Sequence, residues 1–157
     1  MRAVPCLTIA LLLAFPGLAR AEKAPAFEGF ATGVQVYACN AVDDAIHWVL
    51  KGPDAKLVDG KGKPIAKHFA GPTWQAEDGS KVVGEVLTST PSPHRDAIAW
   101  LVVRAKSHEG TGEMADVSYI IREATTGGMP TAAGCDQSHL GAEMRVPYRA
   151  TYLFFRE

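Results

Sequence analysis

Apolar side chains recur at every second position in the last part of the chain, from residue 144 to residue 154. They are Met144, Val146, Tyr148, Ala150, Tyr152 and Phe154, and the positions between them hold two arginines, a proline, a threonine and a leucine. An alternation with a period of two is typical of a β-strand with one buried face. Pro147 has no amide hydrogen to donate, so we expect the strand to start near it or to lie at a sheet edge there.

The same alternation predicts seven further strands, separated by turns rich in glycine, proline and aspartate. They cover residues 34–40, 45–51, 56–59, 73–77, 81–87, 98–106 and 114–123. Asp78-Gly79 predicts a two-residue hairpin turn, because glycine readily adopts the positive φ that such a turn requires. Gly52-Pro53-Asp54 is interpreted as another turn. About eight strands must stack or close to bury their apolar faces, which predicts an all-β fold, either an antiparallel β-sandwich or a partly closed β-barrel.

The first 21 residues have the composition of a secretory signal peptide. Arg2 precedes an apolar run over residues 3–18, and Ala19-Arg20-Ala21 has the small residues that precede a cleavage site. We therefore expect cleavage after Ala21, export to the periplasm or the extracellular space, and a single β domain over residues 22–157. The apolar run is shorter than the roughly 20 residues that span a bilayer, so we expect no transmembrane segment in the mature protein.

The charged residues are balanced and scattered along the chain. There are 16 Lys and Arg residues against 17 Asp and Glu residues, without a run of five like charges. A surface that binds nucleic acid concentrates positive charge. We therefore expect no nucleic-acid partner.

Two cysteines, Cys39 and Cys135, remain once Cys6 is removed with the leader. In an oxidising compartment two thiols pair unless something prevents it, so we predict a Cys39–Cys135 disulfide. Two buried free thiols or a metal-binding pair are the alternatives.

The chain contains none of the common catalytic sequence motifs. It has no G-x-S-x-G nucleophile motif, no phosphate-binding P-loop and no dinucleotide-binding glycine motif. The sequence leaves enzymatic activity undecided and favours a non-enzymatic protein, with no catalytic residue assigned.

His68 and His139 are the candidate metal ligands. Both lie beside glycine-rich segments, and Asp136 is close enough to His139 in sequence to act as a further ligand or to orient its imidazole. We expect no cofactor, and copper or zinc at these three residues is the alternative. Surface or hydrogen-bonded histidines are the more common case.

Trp74 and Arg145 are the candidates for contact with an organic ligand. Trp74 follows Gly71-Pro72-Thr73 at the mouth of a strand, where its ring could belong to the core or form a stacking platform for a sugar or another flat ligand. Arg145 could bind an anionic ligand, although an ion pair with Glu143 or Asp136 is the more common outcome.

Several segments match, in order, the pattern of one family. They are Gly33-Val34-Gln35-Val36-Tyr37 with Cys39, Trp48, His68-Phe69-Ala70-Gly71-Pro72-Thr73-Trp74, Asp78-Gly79-Ser80, Ile98-Ala99-Trp100-Leu101, Tyr119-Ile120-Ile121-Arg122, Thr126-Gly127-Gly128, Gly134-Cys135-Asp136 and Arg145-Val146-Pro147-Tyr148. In these segments the chain resembles the secreted proteins of bacteria and fungi catalogued as domain of unknown function 3455. The resemblance covers nearly all of residues 22–157.

This resemblance implies no reaction, because the family has no established activity. Five positions of the family's pattern are the candidate ligand-binding residues, and they are His68, Trp74, Asp136, Arg145 and Tyr148. The chain departs from the pattern at Ala99, where the resemblance implies Pro, and at Ile121, where it implies Gln.

Three functions fit these observations. The favoured hypothesis is a non-enzymatic module that binds a small ligand, a glycan or another envelope component through the loops near residues 68–74 and 134–141. The second is a copper- or zinc-dependent binding protein or small metalloenzyme that uses His68 and His139. The third is a structural surface protein without a small ligand. The sequence leaves the oligomeric state open.

Overall fold

A computed structural model of the protein describes residues 23–157 and consists of β-strands with one short 3-10 helix. The strands are β1 (Phe27–Val42), β2 (Ala45–Val58), β3 (Pro64–Phe69), β4 (Thr73–Ala76), β5 (Lys81–Thr90), β6 (Trp100–Glu109), β7 (Tyr119–Gly127) and β8 (Glu143–Phe155). The 3-10 helix covers Gln137–His139, in the connection before β8. The predicted signal peptide lies outside the described residues.

The eight strands form one closed antiparallel ring. Each strand pairs with the next in sequence, and β8 returns to pair with β1, from Phe27 opposite Phe154 to Ala38 opposite Glu143. The predicted all-β fold with about eight strands is therefore confirmed, and of the two architectures the molecule adopts the barrel. Ring closure removes both edges of the sheet, which explains why no second sheet is needed to cover the apolar face.

Strand β2 is longer than the alternation predicts. The expected turn at Gly52-Pro53-Asp54 is wrong, because β2 continues through these residues opposite β1. Val36 lies opposite Gly52 and Tyr37 lies opposite Leu50, so Lys51 is an extra residue in a β-bulge. Gly52 has a φ of +144°, which glycine adopts readily because it has no Cβ atom. The turn signal in the sequence therefore marks a kink inside a strand.

Two other predicted boundaries are corrected. The hairpin between β4 and β5 has a three-residue loop, with the Gly79 amide donating to the Ala76 carbonyl at 3.0 Å and the Ala76 amide to the Ser80 carbonyl at 2.9 Å. Strand β7 begins at Tyr119 and not, as the alternation predicts, at Met114. Met114 lies in the preceding loop, although it is fully buried. Burial of an apolar loop residue imitates the strand pattern in the sequence.

The alternation along β8 is confirmed. Tyr148, Ala150, Tyr152 and Phe154 are buried in the core. Pro147 pairs with β1, whereas pairing of β8 with β7 stops one residue later, at Tyr148. The proline thus lies where one side of β8 has no strand partner, which is the predicted edge position.

The predicted disulfide is present and joins β1 to the connection before β8. The Cα atoms of Cys39 and Cys135 are 5.3 Å apart, and Cys39 is fully buried. Backbone hydrogen bonds extend the same junction, since the Gly141 amide donates to the Cys39 carbonyl at 2.8 Å. The disulfide therefore strengthens the seam at which the ring closes.

None of the helical structure within residues 23–157 has the length and apolar character required to cross a membrane.

Candidate functional site

A cavity of about 460 Å³ lies inside the barrel. Every one of the eight strands contributes at least one wall residue, so the cavity is part of the barrel interior and not a surface groove. The wall includes Gln35, Leu50, Lys51, His68, Trp74, Val86, Ala99, Leu101, Val103, Arg122 and Tyr152. Leu50 and Val86 are 54% and 46% exposed, and they mark the mouth of the cavity.

His68 and Trp74 form the most ordered part of the wall. They lie opposite each other on β3 and β4, and their rings stack with centroids 4.2 Å apart and planes 7° from parallel. Gly84 on β5 makes room for this arrangement, because a Cβ atom there would collide with Val103 and crowd the Trp74 ring. Two of the residues predicted to bind a ligand are therefore in direct contact in the cavity wall.

The structure leaves Trp74 no open face for a sugar. The indole is only 1% exposed, with His68 against one face and the edge of Tyr152 5.6 Å away, measured between ring centroids. The residue therefore belongs to the core and to the cavity wall together.

His68 is neutral at physiological pH. Burial lowers the pKa of His68 to about 3, and the positive charge of Arg122 acts in the same direction. The ring is 3% exposed, and its Nδ1 lies 2.9 Å from the Thr73 carbonyl oxygen. A carbonyl only accepts, so Nδ1 carries the proton and Nε2 keeps its lone pair.

Gln35 is a buried polar residue in the wall, on the inward face of β1. It is 2% exposed, and its side-chain amide forms no hydrogen bond to another described residue. Buried amides in folded proteins almost always have a partner, either protein or solvent. The amide atoms of Gln35 are not among the fully enclosed side-chain atoms without a partner in residues 23–157, so solvent or a ligand in the cavity can supply that partner.

Arg122 lies on the inward face of β7, two residues after the fully buried Ile120. Its Nε donates a hydrogen bond to the Ala99 carbonyl oxygen at 2.9 Å. Burial raises the pKa of Tyr152, and the positive charge of Arg122 opposes that effect, so the guanidinium lies close to the phenol. Among the described residues no carboxylate forms a salt bridge with Arg122.

Asp136 and His139 lie outside the cavity, in the exposed 3-10 helix. The Asp136 carboxylate caps the helix by accepting from the Ser138 amide at 2.9 Å and the Ser138 hydroxyl at 2.6 Å, and it is 2.8 Å from His139 Nδ1. These hydrogen bonds, that of the Ser138 hydroxyl foremost, lower the pKa of Asp136 to about 2. The two predicted neighbours are thus brought together, but away from His68.

Within residues 23–157 there is no group of three or more His, Cys, Asp or Glu side chains placed to hold a metal ion. The structure does not bring His68 into one cluster with Asp136 and His139. Copper or zinc binding stays a prediction from the sequence.

Arg145 and Tyr148 also lie outside the cavity wall. Arg145 is exposed on β8 and forms ion pairs with Asp54 at 2.5 Å and with Glu143 at 3.3 Å. Tyr148 is buried, which raises the pKa of its phenol, and its hydroxyl is 3.4 Å from that of Tyr152. Arg145 therefore has internal partners, and Tyr148 contacts the wall residue Tyr152 without lining the cavity itself. The loop 128–142 contributes no wall residue.

Sequence reasoning did not identify Gln35 and Arg122 as site residues. Their signal is a polar side chain at an inward position of a strand, in phase with the buried Tyr37 and Ile120 respectively. A polar residue at such a position requires a special partner, and this criterion finds both residues.

A family model described as "Protein of unknown function (DUF3455)" matches residues 20–156. The chain belongs to this family. No curated protein and no solved structure matches it. The chain departs at two positions from the pattern that its resemblance to the DUF3455 proteins implies. Ala99 lies in the cavity wall, and Ile121 does not.

Proposed function

We propose that this protein is a non-enzymatic binding module that holds one small ligand inside its barrel. The observation that carries the proposal is the cavity itself, to which all eight strands contribute and in which the buried Gln35 amide has no protein partner. A cavity of about 460 Å³ falls in the range of small-molecule sites. Eight-stranded barrels are just wide enough to hold one such molecule.

The composition of the wall fits an amphipathic ligand. Leu101, Val103 and Trp74 supply apolar surface, and Gln35 and Tyr152 supply hydrogen-bonding groups. Sites for small organic molecules typically combine a mainly apolar wall with a few polar groups that orient the ligand. The exposed Leu50 and Val86 offer apolar contacts at the entrance.

The same wall favours binding over catalysis. The neutral His68 has no carboxylate beside it among the residues that line the cavity, and its Nδ1 is committed to the Thr73 backbone. A general base normally has a partner that orients it and a nucleophile within hydrogen-bonding reach. We include export in the proposal, because a disulfide between residues 96 positions apart fits an oxidising compartment.

Filling the cavity should weaken the binding of a neutral apolar probe. Ala99→Phe adds a ring to the wall, and we expect it to weaken the affinity for phenylnaphthylamine at least about tenfold. A tenfold loss of affinity corresponds to roughly 1.4 kcal/mol, and the contacts that the probe loses with the apolar wall exceed this amount. Fluorescence titration of the purified wild type and variant measures the change. Circular dichroism verifies that both are folded.

Ala41→Phe is the matched control, since Ala41 is exposed on β1 and does not line the cavity. It should leave the affinity unchanged. If the wild type fails to bind the probe, or if both phenylalanine variants bind it as the wild type does, the proposed binding function is wrong.

A further inference from the structure

The charged side chains that line the cavity are all positive. Among the wall residues, Arg122 and Lys51 carry positive charge and none is an aspartate or a glutamate. His68 adds no charge at neutral pH because it is buried. The cavity lining therefore has an excess of positive charge, with Arg122 half-buried and Lys51 exposed, although the chain as a whole carries a formal charge of −1.

Three other arginines of the described chain have a salt bridge, which Arg122 lacks. Arg104, Arg145 and Arg156 each form a salt bridge with a nearby carboxylate. Arg104 and Arg145 are exposed to water, where a partner matters less, whereas Arg156 is half-buried like Arg122 and has a partner. Arg122, in the wall, has the Ala99 carbonyl as its acceptor and no counter-ion among residues 23–157. A guanidinium removed from bulk water without a counter-ion is costly, and an anion in the cavity would offset that cost.

The Ala99 contact also orients the guanidinium. Because Nε is engaged by a backbone carbonyl, the plane of the group is held. The terminal amino groups lie near the Tyr152 hydroxyl and have further hydrogens to donate to a second acceptor. Paired donors of this geometry match the two oxygens of a carboxylate or sulfonate. The Gln35 amide, buried in the same wall, is a second unpartnered group that points to a polar ligand head.

We propose that the ligand is a small organic anion, with a carboxylate or sulfonate group bound by Arg122 and an aromatic or aliphatic body against the apolar wall. This inference rests on the proposed binding function and specifies the chemical class of its ligand. Lys51, the extra residue of the β-bulge at the wall, adds to the attraction of an anion towards the cavity.

Two fluorescent probes that share an aromatic body test the proposal. Anilinonaphthalene sulfonate carries a sulfonate, and phenylnaphthylamine is its neutral counterpart. We expect Arg122→Gln to weaken binding of the sulfonate at least about tenfold, because a charge-assisted hydrogen bond is lost. Binding of the neutral probe should change less than about threefold. Arg122→Lys keeps the charge and should retain part of the preference for the sulfonate.

Arg149→Gln is the control, because Arg149 is exposed on β8, outside the cavity wall, and its replacement changes the net charge by the same amount. It should leave both affinities unchanged. If Arg122→Gln leaves the affinity for the sulfonate unchanged while the neutral probe still binds and Ala99→Phe still blocks it, the anion proposal is wrong and the binding function stands. If neither probe binds the wild type, the binding function fails first.

Discussion

Replacing both Cys39 and Cys135 by alanine is expected to lower the free energy of unfolding by about 2 to 4 kcal/mol. The disulfide closes a loop between residues 96 positions apart, so its loss releases a large conformational freedom in the unfolded chain. The fully buried Cys39 side chain also becomes smaller, which leaves unfilled space in the core. Urea unfolding of the purified variant and wild type, followed by circular dichroism, measures the difference.

Wild-type protein in the presence of a thiol reductant is the control for this experiment. It should lose a similar amount of stability without any change of side chain. Equal urea midpoints for the oxidised wild type and the double variant would contradict the structural role of the disulfide.

Stability is also expected to fall in mild acid because of His68. Its pKa is about 3 in the folded protein, and an unfolded histidine has a pKa of about 6.5. Below pH 6.5 the histidine of the unfolded chain binds a proton, whereas His68 in the folded chain stays neutral. The contribution of His68 to the free energy of unfolding is therefore complete above about pH 6.5 and is lost as the pH falls towards 3. The slope approaches about 1.4 kcal/mol per pH unit, which predicts a loss of about 2 kcal/mol between pH 6.5 and pH 5 from this residue.

His68→Gln removes the titrating group and keeps a side chain that can donate to the Thr73 carbonyl. We expect this variant to show a flatter dependence of the urea midpoint on pH than the wild type. His47→Gln replaces an exposed histidine on β2 and should follow the wild type. Parallel pH curves for His68→Gln and the wild type would show that His68 titrates normally.

The sequence predicts the strands well where one face is apolar and the other polar. Along β8 the pattern identifies both the buried residues and the edge position of Pro147, because alternation follows directly from strand geometry. It fails for β3, which is absent from the predicted strands, and at the Gly52 bulge, where a glycine and a proline inside a strand look like a turn. In that segment the pairing with β1 decides the conformation.

The candidate site was predicted less completely than the fold. His68 and Trp74 carry a local signal, since they belong to one short hairpin and face each other across it. Gln35 and Arg122 come to the same cavity from distant strands, and only closure of the ring places them there. Arg145 shows the same limit, because one of its two partners, Asp54, lies 91 positions away and could not be chosen from sequence proximity.

The closing pair β1 and β8 also constrains the order in which the protein can fold. The pairs β1–β2 to β7–β8 join strands adjacent in the chain and can form as local hairpins, whereas Phe27 must meet Phe154 from the opposite end of the described chain. Contacts between such distant residues form slowly, because the intervening chain must first lose its freedom. We therefore expect the β1–β8 pairing, and with it the complete cavity wall, to form late in folding. Ligand affinity would then develop only in the final step, and the appearance of binding would report that the ring has closed.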